Sequence, residues 1–328
     1  MPTPTDLLVD PAWLEARLPD RSVRIIECTT HLHPQPVGPS RIVSGLPEFE
    51  RERIPGARYV NMATDMSDPQ GRYPYTLLSE AQAEALLAGL DVGDEHAVVL
   101  YSRGGVMSST RVWYVLHALG HRRVSILDGG YERWRAEGRE VSEGRPESLE
   151  TRDADAIGPA PRRDGAQRAP ALDRSTGEAN APATRAADRF RARLDARRVA
   201  DLEAVRAALD DPATVLVNAL SREQFLGTGG AHYGRPGSIP GSVSVPAREL
   251  ISPETGRFLD REALERRFAE AGVLDAPRAI VYCGGGVAAT VVAFALERLG
   301  HPGWSVYDNS LLEWSTIPEM PMVRGEEG

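Results

Sequence analysis

Residues 279–290 read Ala-Ile-Val-Tyr-Cys-Gly-Gly-Gly-Val-Ala-Ala-Thr. An apolar run typical of a buried strand leads to Cys283, and three glycines follow it. A second apolar run, of helical length, extends from Val287 to Leu299 and is closed by Gly300. The pattern therefore predicts that Cys283 lies where a strand turns through a glycine loop into the start of a helix.

Such a loop is suited to hold a negative charge. Glycine permits positive φ, so consecutive N–H groups can point inward, and the helix dipole adds partial positive charge at the same point. Both effects favour a thiolate, which is the nucleophilic form of cysteine. We therefore take Cys283 as the candidate nucleophile and predict that the residues after it form an anion-binding loop: Gly284, Gly285, Gly286, Val287, Ala288 and Ala289.

The pattern occurs twice in the chain. Residues 98–106 read Val-Val-Leu-Tyr-Ser-Arg-Gly-Gly-Val, which parallels residues 279–287 and places Ser102 at the position of Cys283. The parallel continues through a helix ending in Leu-Gly-His to the segments 128–134 and 308–314, and Ile-Pro-Gly precedes each copy. Landmarks that recur in one order predict a duplicated domain.

Each copy alternates short apolar runs with helical patterns, which predicts a mainly parallel sheet with helices on both faces. Strands are expected near 23–26, 59–61, 98–101 and 124–127, and near 215–217, 242–245, 279–282 and 304–307. Helices are expected over 79–88 and 108–119, the first with a capping box formed by Ser79 and Gln82.

Residues 143–188 are rich in Pro, Ala, Arg, Asp and Gly and contain no aromatic residue, which predicts an interdomain linker. The predicted organisation is a first domain over 1–142, this linker, and a second domain over 189–328.

The composition excludes several classes of function. All 38 basic residues are arginine, so a Walker A loop, a pyridoxal Schiff base and a lysine nucleophile are ruled out. The net charge of −9 argues against a nucleic-acid binder. Two distant cysteines form neither a disulfide framework nor a paired-cysteine metal site. Since we see no signal peptide or membrane span, we expect a soluble cytoplasmic protein without metal or cofactor.

Together these motifs resemble the tandem-domain rhodanese family of sulfurtransferases. The resemblance is carried by the Cys283 loop, the two Ile-Pro-Gly segments and the segments that end in Trp134 and Trp314. It implies two similar α/β domains, each with a mainly parallel five-stranded sheet flanked by helices. It also implies a catalytic second domain and an inactive first domain, because a serine hydroxyl at position 102 cannot carry transferable sulfur.

The family mechanism implied is double displacement through a Cys283 persulfide. A small anionic donor gives up sulfane sulfur, with thiosulfate favoured slightly and 3-mercaptopyruvate a close second. Cyanide, a thiol or a protein cysteine then accepts it.

The chain departs from the family pattern at positions that bind the sulfur donor in other members. Gly284 and Gly285 replace the basic residues usual in thiosulfate-preferring members, and the serine and threonine of the mercaptopyruvate motif Cys-Gly-Ser-Gly-Val-Thr-Ala are absent. Gln224 replaces an arginine that usually grips the donor. Arg222 or Arg235 could substitute for it, since a guanidinium suits a sulfonate or a carboxylate, or both could be solvated surface residues.

The sequence also bears on two other functions. A Cys-based phosphatase loop has the pattern Cys-x5-Arg, but Ala289 stands at that position, so the main charge partner of a phosphate is missing and we reject this function. The alternative that stays open is a non-catalytic protein-binding module that carries persulfide or senses sulfur.

Overall fold

The computed structural model describes residues 7–146 and 189–325. The first repeat contains β1 (Leu8–Val9), α1 (Pro11–Glu15), β2 (Val23–Glu27), β3 (Thr30–His33), β4 (Arg41–Ser44), α2 (Leu46–Arg51), β5 (Glu52–Arg53), β6 (Arg58–Tyr59), α3 (Glu80–Gly89), β7 (Ala97–Tyr101), α4 (Met107–Ala118), β8 (Val124–Leu127), α5 (Gly130–Ala136) and β9 (Ser142–Glu143).

The second repeat contains β10 (Val199–Ala200), α6 (Leu202–Ala208), β11 (Thr214–Asn218), α7 (Arg222–Leu226), β12 (Val243–Ser244), α8 (Arg261–Glu270), β13 (Arg278–Tyr282), α9 (Ala288–Leu299), β14 (Trp304–Tyr307) and α10 (Ser310–Trp314). Short 3-10 helices cover Ala196–Arg198 and Ala247–Leu250.

Each repeat forms a parallel five-stranded sheet, in the order β1-β8-β7-β2-β6 in the first and β10-β14-β13-β11-β12 in the second. The equivalent orders confirm the predicted pair of α/β domains. Because parallel strands share a direction, the carboxyl ends of β7 and β13 place Ser102 and Cys283 at equivalent edges of the two sheets.

The central strands and the helices after them form the core. All five residues of β7 are buried, and so are the last four of β13. Helix α3 begins with the predicted capping box, in which the Ser79 hydroxyl accepts from the Gln82 amide and the Gln82 side chain accepts from the Ser79 amide. The capping-box pattern in the sequence therefore predicts the start of this helix correctly.

The two domains pack through α4 and α9, the helices that follow the Ser102 and Cys283 loops. Trp113 and Phe294 meet edge to face with ring centroids 4.9 Å apart, and the hydroxyl groups of Thr110 and Thr290 lie 3.0 Å apart. Trp113 and Phe294 are fully buried. This packing brings the first domain against the base of the Cys283 loop.

The proposed domain boundaries lie close to ordered structure. Strand β9 pairs with β5, so Ser142–Glu143 crosses the predicted end of the first domain. Phe190 is buried and the Arg193 amide donates to the carbonyl of Leu119, so the start of the second domain contacts the end of α4. Residues 147–188 of the predicted linker lie outside the described residues, and the boundaries stay predictions.

No helix within 7–146 and 189–325 has the length and apolar character needed to cross a membrane. Over the same ranges no group of three or more His, Cys, Asp or Glu side chains is arranged to hold a metal ion.

Candidate active site

Cys283 lies at the end of β13 and is 2% exposed. Its backbone is fixed by the start of α10, because its N–H donates to the Ser310 hydroxyl at 3.0 Å and its carbonyl accepts from the Leu311 amide at 3.2 Å. The next carbonyl, that of Gly284, accepts from the Leu312 amide at 2.8 Å. The first turn of α10 thus sets the direction in which the loop leaves the sheet.

Each of the three glycines lies close to a different neighbour, and at Gly284 and Gly286 that neighbour leaves no room for a side chain. A Cβ at Gly284 would lie 1.9 Å from Cζ of Tyr233, and one at Gly285 would lie 2.8 Å from a methyl of Leu312. Gly286 has φ +79°, and a Cβ there would lie 2.3 Å from the Asp308 carbonyl oxygen. Of the three, only Gly286 uses the left-handed conformation that the sequence led us to expect of the loop.

The loop presents a run of main-chain donors. None of the amides from Gly284 to Ala289 donates to an acceptor within the described part of the chain. Helix α9 begins at Ala288, so its first N–H groups and its dipole face the same space. The residues predicted to form the anion-binding loop are therefore gathered beside the thiol with donor capacity to spare.

Two tyrosines cover the thiol. Tyr233, from the loop between α7 and β12, lies over Gly284, and Tyr75, from the loop between β6 and α3, comes within 3.7 Å of a Cβ placed on Gly285. Burial, then the nearby Cys283, raises the pKa of Tyr233 to about 12. Both phenols therefore stay neutral near pH 7, and the site walls are aromatic and uncharged.

Arg111 supports the loop from the other domain. This α4 residue is 0% exposed and donates to the Gly286 carbonyl at 3.1 Å and to Oδ1 of Asp308 at 2.5 Å. Its other terminal nitrogen donates to the carbonyl of Tyr75. The second oxygen of Asp308 accepts from the Leu77 amide at 3.0 Å. One buried ion pair therefore joins the glycine loop, its aromatic cover and the first domain.

In the first domain, a carboxylate of the same domain already accepts from an amide of the equivalent loop. The amide of Gly104 donates to a carboxylate oxygen of Glu132 at 2.9 Å, whereas the repeat places Leu312 at the equivalent position of the second domain. The Ser102 hydroxyl donates to the Gly105 carbonyl at 2.7 Å. A cavity of about 420 Å³ adjoins this loop. The first domain thus lacks the thiol and also has its own anion on one loop amide.

The two candidate arginines lie in other surroundings. Arg235 donates from its guanidinium to the carbonyls of Ser315, Ile317 and Met320, so it holds the C-terminal segment. Arg222 is exposed and lines a separate cavity of about 370 Å³ that contains no residue of the Cys283 loop. A donor-binding role for either residue stays a prediction.

The sequence motif identifies the Cys283 loop but not the residues that surround it in the structure. Tyr75 and Arg111 reach the site only through the domain interface, and no local motif indicates this, whereas Asp308 belongs to the second domain and to the repeated segment 308–314.

Comparison with known proteins decides the family. A model of the rhodanese-like domain matches residues 10–137 and again residues 201–317. The chain belongs to the rhodanese family. It is an enzyme of the rhodanese sulfurtransferase type, as the named relatives below also indicate.

The rhodanese relatives match over most of the chain. Thiosulfate/3-mercaptopyruvate sulfurtransferase 1, mitochondrial, of Arabidopsis thaliana is 28% identical and covers 94% of this chain and 76% of its own length. Human 3-mercaptopyruvate sulfurtransferase is 30% identical, covering 81% of this chain and 78% of its own. The crystal structure of SseA from Escherichia coli, described as a 3-mercaptopyruvate sulfotransferase, has a TM-score of 0.71 at 25% identity and covers 93% and 99%.

Proposed function

We propose that this rhodanese moves a sulfane sulfur from a small donor to a thiophilic acceptor through a persulfide on Cys283. The observation that carries the proposal is that the amides of Gly284 to Ala289, directly after Cys283 in the chain, have no acceptor within the described residues. Preorganised donors of this kind stabilise a charge that moves onto a new atom, because they need little reorganisation when it arrives.

The reaction has two displacements. The Cys283 thiolate attacks the outer sulfur of the donor and forms an S–S bond. The bond between that sulfur and the donor breaks, and its electron pair leaves with the donor fragment. The acceptor then attacks the outer sulfur of the persulfide, and the electron pair of the S–S bond returns to Cys283 as thiolate. The loop amides hold the negative charge at each stage.

Thiosulfate is the donor we favour, with 3-mercaptopyruvate second. The covered thiol favours a small donor, and main-chain amides are the anion-binding groups that adjoin it. If an arginine contributes, Arg222 or Arg235 would have to leave the surroundings described above. Cyanide, a small thiol or a protein cysteine can act as acceptor.

Composition supports small-molecule and thiol partners. The net charge of −9 disfavours nucleic acid, and we propose that the reaction takes place in the cytoplasm without a membrane partner, metal or cofactor.

The proposal is tested by mixing the protein with thiosulfate or 3-mercaptopyruvate and measuring its mass before and after adding cyanide or a thiol. We expect a gain of one sulfur that the acceptor removes, with turnover. Cys283→Ser should lose both the adduct and turnover. Cys28→Ser is the matched control, since Cys28 is fully buried in the first domain. An adduct that no acceptor removes would favour a persulfide carrier, and no adduct with any donor would overturn the proposal.

A further inference from the structure

Tyr75 carries a polar group that the fold does not use. The residue is 5% exposed, and its hydroxyl has no hydrogen-bond partner among the residues the structure describes. A buried hydroxyl without a partner is costly, so such groups are uncommon in folded proteins and point to a partner that arrives later.

The backbone of Tyr75 is held in a conformation that tyrosine avoids. Its φ is +64°, in the left-handed region, where a bulky residue is strained. The Tyr75 carbonyl accepts from Arg111, and the Leu77 amide donates to Asp308 at 3.0 Å, so the buried ion pair fixes the loop directly after the strained bond. Strain that the surroundings enforce tends to occur where a side chain must be aimed at a site.

The ring of Tyr75 lies beside the Cys283 loop of the other domain. It lies 3.7 Å from a Cβ placed on Gly285, two residues after Cys283. Burial, then the neighbouring Tyr233, and also Cys283 raise the pKa of Tyr75, while Arg111 acts in the opposite direction. The phenol therefore keeps its proton at any pH at which the enzyme works, and it can donate a hydrogen bond.

We propose that Tyr75 is a catalytic residue of the first domain, whose hydroxyl donates a hydrogen bond to the sulfur that Cys283 carries. This inference rests on the proposed persulfide chemistry. The outer sulfur of the persulfide gains negative charge as the donor fragment leaves, and the phenol adds one donor to those of the loop amides. No proton is transferred, so each displacement keeps the atom and electron balance given above.

The role gives the inactive domain a part in the reaction. Its own loop has Ser102 in place of a thiol and Glu132 on a loop amide, yet its segment 67–78 completes the wall of the Cys283 site. Arg111 then acts as a positioning residue, because it holds the Tyr75 carbonyl and the Gly286 carbonyl together.

The test compares Tyr75→Phe with Tyr73→Phe in the full chain. Both changes remove one hydroxyl from the same loop, and within the described residues the Tyr73 hydroxyl forms no hydrogen bond with the Cys283 loop. With thiosulfate and cyanide, Tyr75→Phe should lower kcat and the single-turnover rate of persulfide formation by about 100-fold, the lower end of the effect of losing one preorganised donor. KM should change little, because the bond strengthens as charge develops. Tyr73→Phe should match the wild type.

Thermal unfolding separates this role from a structural one. Because the Tyr75 hydroxyl has no protein partner, removing it should leave Tm equal to or above that of the wild type, whereas a structural hydroxyl would lower Tm when removed. 3-Fluorotyrosine at position 75 keeps the ring and the donor, so it should restore at least half of wild-type kcat, and it also covers the case in which the phenylalanine variant does not fold.

The outcomes distinguish the two proposals. A wild type that forms the Cys283 adduct, together with a Tyr75→Phe variant of unchanged kcat, overturns only the role of Tyr75. A Tm that falls in parallel with kcat, or a 3-fluorotyrosine enzyme as slow as the phenylalanine variant, also overturns it. A wild type that forms no adduct defeats the persulfide proposal itself.

Discussion

Arg111 of the first domain donates to Asp308 of the second, with 2.5 Å between guanidinium nitrogen and carboxylate oxygen. The equivalent carboxylate of the first domain, Asp128, accepts from Arg257 of the second at the same distance. The two pairs differ in exposure, because the Arg111 side chain is 0% exposed and that of Arg257 is 50% exposed. Only the carboxylates are equivalent in the repeat, since Arg111 lies in α4 and Arg257 lies in the segment before α8.

The buried pair should be far more costly to break. We expect Arg111→Met to lower the free energy of unfolding by about 3–5 kcal/mol, because it leaves the Asp308 charge buried without its partner. Arg257→Met should cost about 1 kcal/mol or less, since that guanidinium is half in solvent. Urea unfolding of the two variants checks this. Equal losses would mean that Asp308 is better solvated than its surroundings indicate.

Gly284 and Tyr233 should show compensating substitutions. Gly284→Ala places a methyl within the Tyr233 ring and should abolish persulfide formation, while adding Tyr233→Ala should restore part of it by clearing the space. Gly286→Ala offers the contrast, because its methyl would meet the backbone of Asp308, which no side-chain change removes. The measurement is the single-turnover rate of persulfide formation in the three variants. A Gly286→Ala enzyme with the wild-type rate would contradict the close contact between Gly286 and the Asp308 backbone.

Glu132 should keep the first domain from binding anions. In a Cys283→Ser background, Ser102→Cys alone should take up no sulfur from thiosulfate, because the Glu132 carboxylate already occupies the Gly104 amide and repels the donor. Ser102→Cys combined with Glu132→Leu reproduces the residue of the second domain and should form a detectable adduct. Mass spectrometry measures it. An adduct in the single variant would show that Glu132 does not protect the loop.

Stability should fall in mild acid because of His117. Burial, then the charges of Arg122 and Arg198, lowers the pKa of this histidine from 6.5 to about 3. Between these values the unfolded chain binds a proton that the folded chain does not, so folding loses free energy as pH falls. From pH 7 to pH 5 the loss from His117 should be about 2 kcal/mol.

Urea unfolding at pH 7 and pH 5 tests this expectation. His117→Gln should show a smaller loss of stability between these two pH values than the wild type does. A His117→Gln protein that loses as much stability as the wild type would contradict it.

The sequence predicted those parts of the molecule that depend on local pattern. The repeat identified both domains, and the central strands lie within a residue or two of their expected bounds, because long apolar runs and glycine turns are local signals. The expected strand over 59–61 is shorter and shifted, at Arg58–Tyr59. The two-residue strands β1 and β10 escaped notice, since two residues cannot show a period.

The sequence predicted only the part of the site that lies in one continuous loop. Cys283 and its glycines form a continuous motif, but Tyr75 lies 208 residues earlier and meets the thiol only because α4 packs on α9. The choice between Arg222 and Arg235 rested on residue type alone, and residue type does not reveal that carbonyls of the C-terminal segment engage Arg235. Contacts across a domain interface depend on packing, which a single sequence does not display.

Two tyrosine rings cover Cys283, which is 2% exposed. This cover also affects how well the thiol is protected from chemical damage between turnovers. Peroxide and electrophiles attack cysteines that are accessible as thiolate, and the damage beyond sulfenic acid is permanent. The same cover therefore shelters the thiol from overoxidation, and the first domain provides one of its two rings.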